Sequence, residues 1–148
     1  MEIKAILSPK RTLCRIDCSS KKRVLENIAN YIAKDCESLN ADQLFSALLS
    51  REKLGSTGLG KGIAIPHCRV KDCVNTIGML ITLKTPIDFA AVDSQPVDVL
   101  FALLVPEDSN TAHLQTLATL AEKFSQEKFV ANVRHATEDQ ALYQAVIR

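Results

Sequence analysis

Residues 51–67 read Arg51-Glu52-Lys53-Leu54-Gly55-Ser56-Thr57-Gly58-Leu59-Gly60-Lys61-Gly62-Ile63-Ala64-Ile65-Pro66-His67, and they divide the chain. Four of its five glycines, Gly55, Gly58, Gly60 and Gly62, fall in this stretch. Glycine takes positive φ at little cost and proline cannot continue a helix, so any helical pattern must stop at Gly55. Sharp turns and short extended segments are expected from there to His67.

Upstream, the periodicity is helical. Ser20 is placed to cap a helix with Val24, Leu25, Ile28, Ala29 and Ile32 on one face, and Asn40 with Gln43 resembles a capping box. Leu44, Phe45, Leu48 and Leu49 make the stripe of that second helix. Downstream, residues 76–83 and 97–105 are nearly continuous in Ile, Leu, Val and Phe, as in strands covered on both faces. Pro86, Pro96 and Pro106 punctuate them, and residues 87–90 suit a short edge strand. A third helix is expected near Asn110, with Leu114, Leu117, Ala118, Ala121 and Phe124 inward. A short one follows around Phe129, Val130 and Val133, and a last opens at Thr137 with Gln140 in capping-box register. Two helices, a strand-rich middle and three helices predict an α/β fold, a central mixed sheet with helices on both faces.

Composition sets the class. The chain has 148 residues, a formal charge of +1, 47% hydrophobic and 24% charged residues. Nucleic-acid binders show a clustered basic excess and disordered tails lack apolar content, so neither class fits. A chain of this length buries about 70% of its unfolded surface, enough for one domain over residues 1–148 without staples. Five cysteines, Cys14, Cys18, Cys36, Cys68 and Cys73, cannot all pair, and their spacing is not that of a secreted scaffold. With no signal-peptide pattern and no apolar run near the roughly 20 residues of a membrane span, a cytoplasmic protein without membrane insertion is expected.

The segment from Gly55 to Lys61 matches the GxxxxGK of nucleotide hydrolases, but Gly62 stands where Ser or Thr must hold magnesium, and Pro66 interrupts the required helix. The glycines fit better as turns beside a site. His67, stiffened by Pro66, is either an ordinary strand-end residue or a chemical group. His113 falls in the first turn of the third helix, where it is either a partly buried polar residue or a group facing an anion. Arg51 stands near the end of the second helix, where its charge favours the dipole; its planar guanidinium also suits phosphoryl oxygens. His67, Cys68 and Cys73 lack a fourth ligand and the usual spacing, so no metal is expected.

The segments from Arg51 to His67 and from Gln95 to Pro106, followed by His113-Leu114-Gln115-Thr116-Leu117, resemble the IIA proteins of the bacterial phosphoenolpyruvate phosphotransferase system, fructose/mannitol type. The nitrogen-regulatory branch is the most similar. The resemblance implies that His67 accepts a phosphoryl group on Nε2 from an HPr-type carrier, that His113 and Arg51 stabilise that group, and that no organic cofactor or metal takes part. It further implies regulatory partner proteins that read the phosphorylation state. The alternative is a sugar-transport component passing phosphate to a separate fructose- or mannitol-type IIB, since the chain itself shows no IIB-like segment or membrane span.

The family motif usually has glycine after the histidine, and here it is Cys68. If that position needs positive φ, Cys68 carries strain of about 1 kcal/mol or more; if φ is negative, the change is tolerated. Adjacent residues of an extended segment face opposite ways, which argues against a Cys68–His67 nucleophile pair. The other cysteines read as small fillers, and His135 as a helix-end residue.

Overall fold

The computed structural model describes residues 2–109 and 111–148 and, for residues 111 and 112, the backbone alone. After two short 3-10 turns, Ile3–Ala5 and Pro9–Arg11, come β1 (Thr12–Ile16), α1 (Lys21–Asp35) and α2 (Ala41–Lys53). The middle supplies β2 (Gly58–Gly60), β3 (Ile63–Ala64), β4 (His67–Val70), β5 (Ile77–Ile87) and β6 (Val97–Pro106). The chain ends with α3 (Thr111–Phe124), α4 (Glu127–His135) and α5 (Asp139–Ile147).

Local chemistry starts the first two helices as expected. Ser20 Oγ accepts from the Arg23 N–H at 3.2 Å, and Asn40 Oδ1 from the Gln43 N–H at 3.1 Å. Each satisfies one of the orphan donors at a helix start. The predicted α1 stripe is buried, as are Leu44 and Leu48 of α2.

The sheet is mixed, in order β1-β5-β6-β3-β2, with β4 also paired to β6. β5 and β6 are antiparallel, as are β2 and β3, whereas β1 runs parallel to β5 and both β3 and β4 run parallel to β6. Along β6, Leu100, Ala102 and Leu104 face α1 and α2, while Val99, Phe101, Leu103 and Val105 face the C-terminal helices. That double burial is why the run from Val97 to Val105 has no polar alternation. The predicted architecture is therefore the observed one, helices on both faces of a mixed sheet.

Several details differ. β1 was not expected: Thr-Leu-Cys-Arg-Ile is short and half-buried, and its partner β5 lies far along the chain. No separate strand forms at residues 87–90, because β5 runs on through Pro86 to Ile87, with its register to β6 shifting after Thr82. Proline is tolerated at such an irregularity. In α3, Leu117, Ala121 and Phe124 pack inward as expected, but Leu114 and Ala118 are exposed, and Thr116 and Leu120 are buried instead. The helix is rotated from its purely apolar stripe, bringing His113 round with Thr116. α5 begins one residue later than expected, with Glu138 at the cap and no side-chain bond there. Asn110, the expected cap of α3, lies outside the described residues. Among the described residues, no helix is long and apolar enough to cross a membrane.

Candidate functional site

β3 and β4 share one edge of β6 and are interrupted by Ile65-Pro66. Pro66 has no N–H to give, but its carbonyl accepts from the Leu103 N–H at 2.8 Å, so the ladder continues across it. The Ile65 N–H donates to the Thr57 carbonyl at 3.0 Å. Its own carbonyl points back at the site, with His67 Nδ1 2.8 Å from the oxygen. A carbonyl only accepts, so Nδ1 carries the proton and Nε2 keeps its lone pair.

His67 is half-buried at the start of β4. Burial chiefly holds its pKa below the ordinary 6.5, while the Ile65 carbonyl and Glu52 pull upward and Arg51 and His113 push down again. The balance favours neutral imidazole at pH 7, the form with a nucleophilic nitrogen.

A cleft of about 570 Å³ is lined in part by His67. Arg51 and Leu54 from the end of α2, His67 and Arg69 from β4, and His113 and Leu117 from α3 line it. The three residues singled out from the sequence are thus brought together from three elements. A smaller cavity of about 230 Å³ shares Arg51, His67 and Leu117 and adds Thr57, Gly58 and Leu59. A depression of about 620 Å³ beside Asp17, Arg23 and Asp88 holds none of the three. Arg51 Nη1 donates to the Gly55 carbonyl at 2.9 Å, so the guanidinium also closes the end of α2.

The glycine-rich stretch turns as expected at three of its four glycines, Gly55 (φ 150°), Gly60 (φ 95°) and Gly62 (φ 83°). Gly58 serves differently: a Cβ there would lie 2.7 Å from the Ala91 Cβ. Cys68 is not among the positive-φ residues of the described chain, so its departure from the family pattern brings no backbone strain. Its side chain joins the core beneath α1 and α2, where burial pushes the thiol up to about 12, and it is no partner nucleophile for His67. All five cysteines are free. Among the described residues, no three His, Cys, Asp or Glu side chains converge to hold a metal ion.

Two parts of the site were not anticipated. Arg69 shares the cleft and donates through Nη1 to the carbonyls of Glu107, at 3.3 Å, and Ser109. Its place two residues after His67 in a strand was the available signal. Glu52, next to Arg51, is buried and bonded to Thr57 and Lys21. An isolated Glu at a helix end reads as solvated, and only the tertiary structure shows otherwise.

The family model described as "Phosphoenolpyruvate-dependent sugar phosphotransferase system, EIIA 2" matches residues 5–148. A nitrogen regulatory protein of Pseudomonas aeruginosa is 44% identical over 147 residues, covering 99% of this chain and 96% of the relative. The crystal structure of the nitrogen regulatory protein IIA-Ntr from Neisseria meningitidis superposes with a TM-score of 0.91 at 35% identity, over 97% of this chain and 98% of that one. The IIA mannitol structure from Escherichia coli shares the fold at a TM-score of 0.75 and 19% identity, over 92% of this chain and 96% of that one.

Proposed function

Because the chain belongs to the phosphoenolpyruvate-dependent sugar phosphotransferase system EIIA 2 family, we propose that it is a cytoplasmic phosphocarrier of a nitrogen-regulatory phosphotransferase branch. In this reading His67 accepts a phosphoryl group from an HPr-type protein, and the phosphorylation state governs which partners the chain binds. The observation that carries it is the 2.8 Å contact between His67 Nδ1 and the Ile65 carbonyl, which leaves Nε2 as the nucleophile at the cleft.

The Nε2 lone pair attacks phosphorus of the donor's phosphohistidine, a new N–P bond forms, and the electron pair of the old one returns to the donor imidazole. The Nδ1 proton stays on its bond to the Ile65 carbonyl, whose oxygen stabilises the positive charge that the ring gains and spreads over both nitrogens. Phosphoryl transfer asks for alignment and for stabilisation of charge on the equatorial oxygens. Arg51 spends one of its five N–H donors on Gly55, and the others are assigned to those oxygens. His113, in the first turn of α3, adds a ring donor where the helix dipole also favours an anion. Leu54 and Leu59, exposed at the rims of the two cavities that share His67, give a partner apolar contact beside the reacting atom.

The fold shared with a mannitol IIA favours one rival, transfer onward to a separate IIB, whereas identity to nitrogen regulatory proteins over the whole chain favours regulation. Incubation with phosphoenolpyruvate, enzyme I and HPr is expected to add one acid-labile, base-stable phosphoryl group, and none to His67→Ala. A His67→Ala protein labelled to the wild-type extent contradicts the assignment. Passage of the label to a fructose- or mannitol-type IIB domain selects the transport reading.

A further inference from the structure

A buried ionic cluster stands behind the acceptor histidine. Glu52, the penultimate residue of α2, is 7% exposed. Its Oε1 lies 3.0 Å from Lys21 Nζ at the start of α1 and accepts the Thr57 N–H at 3.1 Å, while Oε2 accepts a short bond from Thr57 Oγ1. Lys21 is held in turn, donating to the Phe89 carbonyl at 3.2 Å with its ammonium 4.4 Å from the Phe89 ring centroid. A carboxylate this buried is costly unless paired and hydrogen-bonded, and here three donors, one ammonium, one N–H and one hydroxyl, are ordered around it.

The backbone of Thr57 extends this cluster to the site. The Thr57 carbonyl receives the Ile65 N–H at 3.0 Å, and the carbonyl of Ile65 receives His67 Nδ1 at 2.8 Å. Both ends of one residue's hydrogen bonding are therefore fixed: Glu52 holds Thr57, Thr57 holds Ile65, and Ile65 holds the imidazole. Thr57 stands between Gly58 and Ser56, whose hydroxyl donates to the Phe89 carbonyl at 3.0 Å and accepts the Gly58 N–H at 3.0 Å, so the Thr57 side chain and N–H take their constraint from the carboxylate.

We propose that Glu52, neutralised by Lys21 and acting through Thr57 and Ile65, is a positioning residue that fixes the tautomer and orientation of the acceptor His67. This rests on the phosphocarrier reading for its consequence in transfer, and on geometry alone for its effect on the imidazole. Glu52 touches neither donor nor phosphoryl group. Its removal acts on the pre-organisation of Nε2 and not on the docking of the carrier protein.

Long-range proton–nitrogen correlation of unphosphorylated, 15N-labelled protein reports the His67 tautomer, and quench-flow transfer from phosphorylated HPr reports the rate. In the wild type, His67 is expected as the Nδ1–H form. Glu52→Gln and the isosteric Thr57→Val are expected to mix the two neutral tautomers and to slow transfer about tenfold with an unchanged KM for HPr. Thr57→Ser, which keeps the hydroxyl, is expected to behave as wild type. Should Glu52→Gln fail to fold, the Thr57 pair carries the comparison. A Thr57→Val protein with wild-type nitrogen shifts and rate overturns the proposal, as does a Thr57→Ser protein as impaired as Thr57→Val. Failure of HPr to phosphorylate any form overturns the phosphocarrier reading and leaves the tautomer measurement interpretable.

Discussion

At the residue scale, the chemistry of His67 follows from where its two ring nitrogens lie. Nδ1 is committed to the Ile65 carbonyl, and burial lowers the pKa of the ring below 6.5. Protonation of Nε2 would remove the nucleophile, so acceptance of phosphate is expected to be flat through neutral pH and to fall only below the ordinary imidazole value. A quench-flow pH profile checks this, and a decline that starts above pH 7 contradicts it. Stability has the same sign. The unfolded imidazole binds a proton more readily than the folded one, so unfolding is favoured as pH drops through about 6.5 and disfavoured as pH rises past it. The sequence pointed to this residue through a motif of seventeen positions. It could not show the Ile65 carbonyl, because main-chain acceptors have no sequence signature.

Among the elements, the turn between β2 and β3 is the most constrained. Gly60, Lys61 and Gly62 all have positive φ, of 95°, 57° and 83°, and a non-glycine residue such as Lys61 takes that conformation only when its surroundings hold it. Asp93 Oδ2 accepts the Lys61 N–H at 2.8 Å, and Arg134 of α4 donates to the Lys61 carbonyl at 2.7 Å while pairing with Asp98 at 2.8 Å. The N–H groups of Lys61 and Gln95 hold the Asp93 carboxyl below its ordinary value, so this clamp persists at neutral pH and is released on strong acidification. A Cβ on Gly62 would meet Arg134 Nη2 at 2.5 Å. Gly62→Ala is therefore expected to cost roughly 2 kcal/mol, a urea midpoint lower by about 1 M. Arg134→Ala removes both the clamp and the clash, so the double variant is expected to be less destabilised than the two singles added together. Full additivity contradicts the clamp.

Elements were legible where their signals are local. Ser20 and Asn40 cap their own helices, and the all-apolar β6 announces two buried faces. β1 was hidden because its pairing with β5 is remote in sequence. The face of α3 was misread in part, because the buried Thr116 and the cleft-lining His113 are polar residues that an apolar stripe does not count.

For the whole molecule, β6 separates two cores, and the candidate site lies at the sheet edge where α2, β4 and α3 meet. That convergence of Arg51, His67 and His113 is tertiary, and no periodicity in the sequence encodes it. The chain's formal charge of +1 gives phosphorylation a visible effect, since a phosphoryl group adds roughly two negative charges and turns the net charge to about −1. Native electrophoresis at pH 7 is expected to reverse the direction of migration on phosphorylation, and an unchanged direction contradicts modification of the whole population. Phosphorylation on a ring nitrogen of His67 is the central claim, and long-range proton–nitrogen correlation of the phosphorylated, 15N-labelled protein tests it most directly. The predicted result is phosphorus coupling at Nε2 of His67 with Nδ1 still protonated. Coupling at Nδ1, or at any other residue, would contradict it.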